Sequence, residues 1–422
     1  YTNDKKFLTE TQKLITNSNN HFLKNNEEIS DKIYNLWNDI KNDDSFLERY
    51  QYVDIDFFKF LNNNDKFLQF LSIFNMTSPV LSLSFPIMML FIPFLLIKMQ
   101  DSRVTFENYI KFLKIIVARN SIGNLIVNFT SVPLDKKLYL CISAGLYVFQ
   151  LYQNLSACMR FYKNIKKIHE QLFTFRDFIK TVIENIDKHL LLSDKLECYE
   201  LFNYTLREKK AILYDLLDKL EKITPYKLNL TKVSNIGQLM KCYYIIFDNK
   251  IYNEAIVYSM GFTGYIETLN NLNVNIQNKV ICKCSYTNKG TEFKNSYYPP
   301  LVKFKNKIIK NSYKLKKNKI ITGPNASGKT TLLKSTLFNI ILSQQIGFGF
   351  YSDAKINIYD YVHCYLNIPD TSGRDSLFQA EARRCKEILD NVIENKDKRH
   401  FCIFDELYSG TNPYEAISGA FA

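Results

Sequence analysis

Paired cysteines are the first thing missing. Nine cysteines lie scattered from Cys141 to Cys402, and the one close pair, Cys282-Lys283-Cys284, has no second pair at the spacing of a structural zinc site. Such a site is excluded, and the thiols read as reduced and buried, as in a cytosolic protein. The opening residues lack the basic, apolar and small-residue segments of a cleaved secretory signal. No segment repeats with the period of a solenoid. Glycine and proline are scarce between residues 160 and 275, so little there interrupts long helices. The chain opens on Tyr1 rather than Met and stops at Ala422 inside a helical pattern, and both ends are expected to be cuts.

Charge is absent altogether from Phe67 to Ile97 and again from Leu138 to Met159. Each run exceeds the roughly 20 residues that cross a bilayer core, so two apolar helices acting as membrane segments are expected. Two features argue for buried core helices instead. The connector from Lys98 to Lys137 carries seven basic residues against three acidic ones, whereas a short translocated loop is poor in Lys and Arg. The second run also holds Gln150, Tyr152, Gln153, Asn154 and Ser156, which are costly in hydrocarbon. An interfacial hairpin combines both readings, with Phe106, Tyr109, Ile110, Leu113 and Ile116 of the connector on one face, at the cytoplasmic surface of a membrane.

What is present points to several folded domains. At 422 residues the chain is too long for one core, since single cores stop growing near about 250–300 residues. Hydrophobic residues at 46% and aromatics at 14% exclude wholesale disorder. A net charge of +13 suits a phosphate-rich partner, either nucleic acid or an anionic lipid surface. The abundance of Lys, Asn, Ile, Tyr and Phe has a second source in an AT-rich gene, so the lysines do not by themselves require a partner. Four regions follow. Residues 1–66 read as amphipathic helices, with Phe22, Ile29, Ile33, Trp37 and Ile40 at helical spacing. Residues 67–159 hold the apolar runs and their basic connector. Residues 160–275 read as a helical lever or bundle, in long stretches such as Arg160–Leu191 and Tyr199–Ile223. Residues 276–422 change to short β-like runs, Val280–Tyr286 and Lys319–Thr322, with turns at Asn288-Lys289-Gly290 and Tyr298-Pro299-Pro300.

The last region carries the chemistry. Ile320-Ile321-Thr322 is expected to be a strand running into Gly323-Pro324-Asn325-Ala326-Ser327-Gly328-Lys329-Thr330-Thr331, followed by a helix over Leu332–Ser343. Glycines let successive backbone N–H groups turn around phosphates, and the helix N-terminus adds positive dipole character. Lys329 is placed to reach the β- and γ-phosphates of ATP and Thr330 to ligate Mg²⁺. Further on, His400-Phe401-Cys402-Ile403-Phe404 reads as a strand ending in Asp405-Glu406. Asp405 there can hold the metal's hydration shell, and Glu406 can orient and deprotonate an attacking water. The fold class expected is an α/β P-loop NTPase domain of the ABC ATPase type, preceded by helices, and the activity expected is Mg²⁺-dependent ATP hydrolysis.

Four motifs in order then resemble the MutS family. Thr322 to Thr331 resembles its TGPN-x-x-GKS/T-T loop, Gln345-Ile346-Gly347 its Q-I-G, Ser376-Leu377-Phe378-Gln379-Ala380-Glu381 its S-x-F-x-x-E signature, and Asp405 to Thr411 its DEL-x-x-GT segment. The resemblance implies that Ser376 senses the γ-phosphate of a neighbouring subunit in a homodimer, that Tyr298 in Tyr297-Tyr298-Pro299 packs on adenine, that Asn325 orients phosphate or water, and that Gly410 and Thr411 turn towards the opposite subunit. Tyr297 and Tyr298 also read as an ordinary core pair in a tyrosine-rich chain. The family's mismatch-reading Phe-x-Glu wedge is not found in a suitable N-terminal context, and the chain ends before the family's switch histidine and helix-turn-helix. The arrangement is similar to the short, membrane-associated MutS-like proteins.

The function expected is a MutS-family ATPase coupled to binding of mismatched or branched DNA, in repair or recombination. The alternative is a membrane-tethered relative without mismatch recognition, acting on branched DNA or a protein partner at the cytoplasmic face. An ABC-type transporter is disfavoured by having only two apolar segments and no L-S-G-G-Q. Lys303, Lys305, Lys307, Lys310, Lys314, Lys316, Lys317 and Lys319 crowd the approach to the loop and suit DNA phosphates without sequence preference. They read equally as a solvated face.

Overall fold

The computed structural model describes residues 1–19, 21–22, 27–99, 105–117, 134–224, 235–303, 308–366 and 376–421, and it is mostly helical with a small mixed sheet. The chain divides into two compact units. One comprises residues 25–183 and 208–262, the other residues 1–24, 184–207 and 263–422.

The helices, in chain order, are α1 (Lys5–Asn17), α2 (Glu27–Lys41), α3 (Phe46–Arg49), α4 (Asp65–Met99), α5 (Phe106–Val117), α6 (Leu134–Ser193), α7 (Glu200–Glu221), α8 (Ile236–Asp248), α9 (Lys250–Gln277), α10 (Lys329–Ser343), α11 (Leu377–Glu394) and α12 (Pro413–Phe421). The strands are β1 (Cys282–Thr287), β2 (Thr291–Ser296), β3 (Asn311–Leu315), β4 (Phe348–Gly349), β5 (Asp353–Asn357), β6 (Tyr361–Tyr365) and β7 (His400–Phe404).

In the first unit the core forms around α8, which buries Leu239, Met240, Cys242, Tyr243, Tyr244 and Ile246. Phe46 stacks on Tyr52, Tyr243 and Phe247, with ring centroids 5.5, 5.3 and 3.9 Å away. The phenols are satisfied where they are buried: Tyr52 donates to the Met240 carbonyl at 2.7 Å and Tyr243 to Gln171 Oε1 at 2.9 Å. Helix α4 approaches α8 so closely that a Cβ on Gly237 would stand 2.1 Å from the Asp65 carbonyl, and the Gly237 N–H donates to Gln69 Oε1 at 2.8 Å.

The expectation of membrane segments is not supported. Among the described residues no helix is long and apolar enough to cross a membrane. Residues 67–97 lie within α4, whereas residues 138–159 open the much longer α6, which continues through a charged stretch to Ser193. Polar groups join the two helices: Tyr147 donates to the Ser82 carbonyl at 3.1 Å and Asn154 to Ser82 Oγ at 2.7 Å. Asn154, costly in hydrocarbon, is therefore partnered against α4. The buried-core alternative is not met either, because Leu81, Phe91, Leu146 and Phe149 are exposed. The connector's residues 100–104 and 118–133 lie outside the described residues; α5 between them has no buried residue, and its Phe106 is exposed.

In the second unit, five strands form a sheet in the order β3-β2-β5-β1-β4. β1 and β5 run parallel, and β2 is antiparallel to both β3 and β5. The turn at Asn288-Lys289-Gly290 joins β1 to β2, with Gly290 at φ 99°, although β5 lies between those strands. One side of the sheet packs Cys284, Phe293, Tyr351, Ala354, Ile356 and Tyr359 against Ile340 of α10. Strands β6 and β7 form a separate parallel pair. Helix α1 is capped by Asp4, whose carboxylate accepts from the N–H groups of Lys6 and Phe7. It inserts Gln12, whose Nε2 donates to the carbonyls of Cys284 at 3.0 Å and Gly347 at 2.7 Å. Gly347 has φ 78°, and a Cβ there would come within 2.2 Å of Gln12, so the position demands glycine on both counts.

The strand expected at Lys319–Thr322 is absent: these residues pair with no strand, and Ile320 is 93% exposed. β-branched apolar residues supply strand propensity, but a strand also needs a neighbour to bond.

Candidate nucleotide site

The loop from Gly323 to Gly328 joins residues 319–322 to α10. Ala326 and Gly328 adopt left-handed backbone, at φ 60° and 92°, which coils the chain tightly before the helix starts. Gly328 is the N-cap of α10, and among the described residues no side chain bonds the first-turn N–H groups, which leaves donors and the positive end of the helix dipole facing the loop. Gly323, Pro324, Asn325, Ala326, Ser327 and Gly328 are all exposed, and Thr331 is half-buried.

Lys329 folds back over the loop and donates to the carbonyls of Gly323 at 2.8 Å and Pro324 at 3.4 Å. Among the described residues no carboxylate lies within ion-pair distance of it, so its charge is met only by neutral acceptors. Thr330 faces the other way, and its hydroxyl donates to Oδ2 of Asp405 at 2.7 Å. Asp405 is delivered by β7, which the parallel ladder to β6 holds in register from Tyr361↔His400 to Tyr365↔Phe404. Its own N–H donates to the Tyr365 carbonyl at 3.1 Å. Two oxygens of the kind Mg²⁺ prefers, a hydroxyl and a carboxylate, thus converge beside an uncapped helix start and a cation. That donor set fits a metal-bound nucleoside triphosphate.

Glu406 follows with φ 47° and an exposed side chain. Ser376, expected to act across a dimer, has a local task within this chain. It caps α11 by accepting from the Gln379 N–H at 3.3 Å while its own N–H donates to Gln379 Oε1 at 3.0 Å, a reciprocal capping box. The two tyrosines before Pro299 separate. Tyr297 is buried and donates to the Val280 carbonyl at 2.6 Å, whereas Tyr298 is half-buried beside the exposed Phe338 of α10, ring centroids 5.8 Å apart.

Of the eight lysines near the loop, Lys305 and Lys307 and the side chain of Lys303 lie outside the described residues. Lys310, Lys314, Lys316, Lys317 and Lys319 are exposed. Lys314 and Lys316 share Glu292, at 3.2 and 3.7 Å, and the hydrogen bond from Lys314 holds that carboxyl below its ordinary range. Sequence reasoning gave no task to Glu381, although it closes the S-x-F-x-x-E stretch. In the structure it is buried against the segment that follows β7.

Comparison with known proteins agrees with the motifs. The model of MutS domain V matches residues 319–422. The DNA mismatch repair protein MutS of Parabacteroides distasonis is 30% identical over 204 residues, 42% of this chain and 22% of that protein. The protein of the same name from Caldicellulosiruptor saccharolyticus is 26% identical over 270 residues, 62% of this chain and 28% of its own length. The endonuclease MutS2 of Alkaliphilus oremlandii is 35% identical over 141 residues, 32% and 17% of the two chains. The chain therefore spans less than a third of the length of these relatives. Residues 319–422, which carry the Gly323–Thr331 loop and Asp405, thus match domain V of the MutS family.

Proposed function

We propose that this chain binds and hydrolyses ATP with Mg²⁺ and uses the nucleotide to control its hold on DNA, as a homodimer whose sites are shared. The observation that carries the reading is the contact between Thr330 and Asp405, which joins the loop and the strand end across 75 positions of sequence at 2.7 Å. In this reading Lys329 leaves its backbone carbonyls to neutralise the β- and γ-phosphates, and Thr330 and Asp405 turn their oxygens to the metal and its water shell. The metal, when bound, supplies Lewis-acid polarisation of the phosphate oxygens. Glu406 takes a proton from water as the water oxygen bonds to the γ-phosphorus and the bond to the β–γ bridging oxygen breaks, which yields ADP and phosphate. Tyr298 offers a face for adenine, and Ser376 reaches the partner's nucleotide.

DNA enters through the relatives, which are named as mismatch repair proteins and an endonuclease. The exposed lysines beside the loop suit a phosphate backbone read by shape rather than by base. Phe46-Leu47-Glu48 has the spacing of a Phe-x-Glu wedge, but Phe46 is buried and stacked on Tyr52 and Phe247, so little preference for a mismatch is expected. The test measures ATP turnover and binding to matched, mismatched and four-way-junction DNA, at two salt concentrations, with and without ATP. ATP-dependent, salt-sensitive binding that favours the junction supports the reading. An absence of both ATP turnover and DNA binding at low salt sinks it.

A further inference from the structure

One face of α11 lies along the segment that follows β7. Leu377 sits against Gly410, where an added Cβ would stand 2.6 Å from the leucine Cγ. The rings of Phe378 and Tyr408 are 5.5 Å apart. About one turn further on, Glu381 is 3% exposed, and its two oxygens accept from Ser409 Oγ at 2.9 Å and from the Gly410 N–H at 3.2 Å. A carboxylate is costly to bury, and it is kept where fixed donors replace its water. Here both donors come from adjacent residues of one turn, so the carboxylate grips backbone and side chain of that turn together.

The gripped turn begins with Glu406. Glu406 and Tyr408 both hold left-handed backbone, φ 47° and 55°, which side-chain-bearing residues adopt only where their surroundings impose it. On the other side, the Tyr408 N–H donates to Tyr365 Oη at 3.3 Å, and Tyr408 itself is buried. The turn is thus held at Tyr408 by β6 and at residues 409 and 410 by α11, while Glu406 is left exposed with no side-chain tether among its described contacts.

We propose that Glu381 is a positioning residue for ATP hydrolysis: by clamping Ser409 and Gly410 it imposes the backbone of the turn and thereby aims the carboxylate of Glu406. The inference rests on the reading of Glu406 as the base. Glu381 acts through the turn and touches neither nucleotide nor water. Its loss lets the turn relax towards ordinary backbone and swings Glu406 away from the attacking water, while the loop that grips the phosphates is unaffected.

The experiment compares the full wild-type chain with Glu381→Ala, Glu381→Gln and Ser409→Ala, measuring steady-state ATP hydrolysis and, separately, binding of a fluorescent ATP analogue. Glu381→Ala is expected to lower kcat about 10- to 100-fold with nucleotide affinity within about twofold of wild type, the split of a misplaced base. Glu381→Gln, which still accepts from Gly410 and can donate to Ser409, should recover kcat to within about threefold of wild type. Ser409→Ala removes one bond from the exposed side and serves if the core variant does not fold, with an expected fall in kcat of about 3- to 10-fold. A wild-type chain that hydrolyses ATP alongside an equally active Glu381→Ala overturns this inference alone, and so does a parallel loss of kcat and affinity in both Glu381 variants. A wild-type chain without hydrolysis overturns the parent reading and takes this one with it.

Discussion

The hydroxyl of Thr330 donates to the carboxylate of Asp405 at 2.7 Å, which brings the start of α10 against the end of β7. The neighbouring Lys329 reaches back over the loop to the carbonyls of Gly323 and Pro324. Lys329→Ala removes the one ammonium of the loop. ATP affinity is expected to fall about 10- to 100-fold, the worth of a charge-assisted contact. Titration calorimetry measures it, and unchanged affinity would remove the nucleotide site.

Binding and turnover should part at Glu406. Glu406→Gln keeps the side chain's shape but cannot accept the proton from water, so ATP should bind as before while kcat falls at least about 100-fold. Single-turnover hydrolysis separates the two, and a Gln variant as fast as wild type would assign the base elsewhere.

Ser376 has a capping task that must be distinguished from any task across a dimer. Ser376→Ala should cost about 1 kcal/mol in α11 through loss of the cap, whereas Ser376→Asp keeps the cap and changes what a neighbouring site meets. Turnover in mixtures of Ser376→Asp with Lys329→Ala protomers reads the second effect. Activity equal to the simple average of the two homodimers would rule out a shared site.

Gly347→Ala tests the packing between α1 and the loop before β4. A methyl group at φ 78° and 2.2 Å from Gln12 should destabilise the protein by about 1–3 kcal/mol. Adding Gln12→Ala should relieve the collision but not the backbone strain, so a urea midpoint restored only in part is the expected result. Full restoration would show that the backbone was never strained.

His189 is fully buried, with Ser193 Oγ 3.2 Å from Nδ1 and Tyr265 Oη 3.3 Å from Nε2, and burial lowers its pKa to about 4. An unfolded histidine protonates near about pH 6.5, so folding stability from this ring is complete above that pH and is lost as the pH falls towards 4. The loss should reach on the order of 3 kcal/mol, and His189→Gln should flatten it. Urea unfolding at pH 7.5, 6 and 5 makes the comparison. A variant with the wild-type slope would place the acid sensitivity elsewhere.

The family was legible because phosphate chemistry ties residue types to short, fixed spacings, as in Gly323 to Thr331 and Asp405 to Thr411. Such spacings also said which distant residues should meet, and Thr330 and Asp405 do. The rest depended on partners that no local pattern names. Ile320 and Ile321 have strand propensity, yet nothing in their spacing tells whether a second strand lies alongside. The uncharged runs suggested hydrocarbon, but their composition could not show that Asn154 turns towards Ser82 while Phe149 faces outward. Nothing in the sequence singles out Gln12, and the S-x-F-x-x-E stretch gives Glu381 no task, because burial of a polar side chain is decided by donors and acceptors brought from elsewhere in the chain.

Gln12 sets an order of events during synthesis. Its acceptors, Cys284 and Gly347, are 272 and 335 residues away, and the glycine that leaves room for it has no counterpart nearer in the chain. At about 5–20 residues per second, a ribosome needs roughly 15 to 70 seconds to deliver Gly347 after Gln12 has been made. Throughout that interval Gln12 of α1 is without its full set of acceptors, although Tyr199, whose ring stacks on Phe7, emerges earlier. Helix α1 therefore waits for part of its packing surface long after its own synthesis, and a chaperone that holds nascent chains has a defined segment to protect.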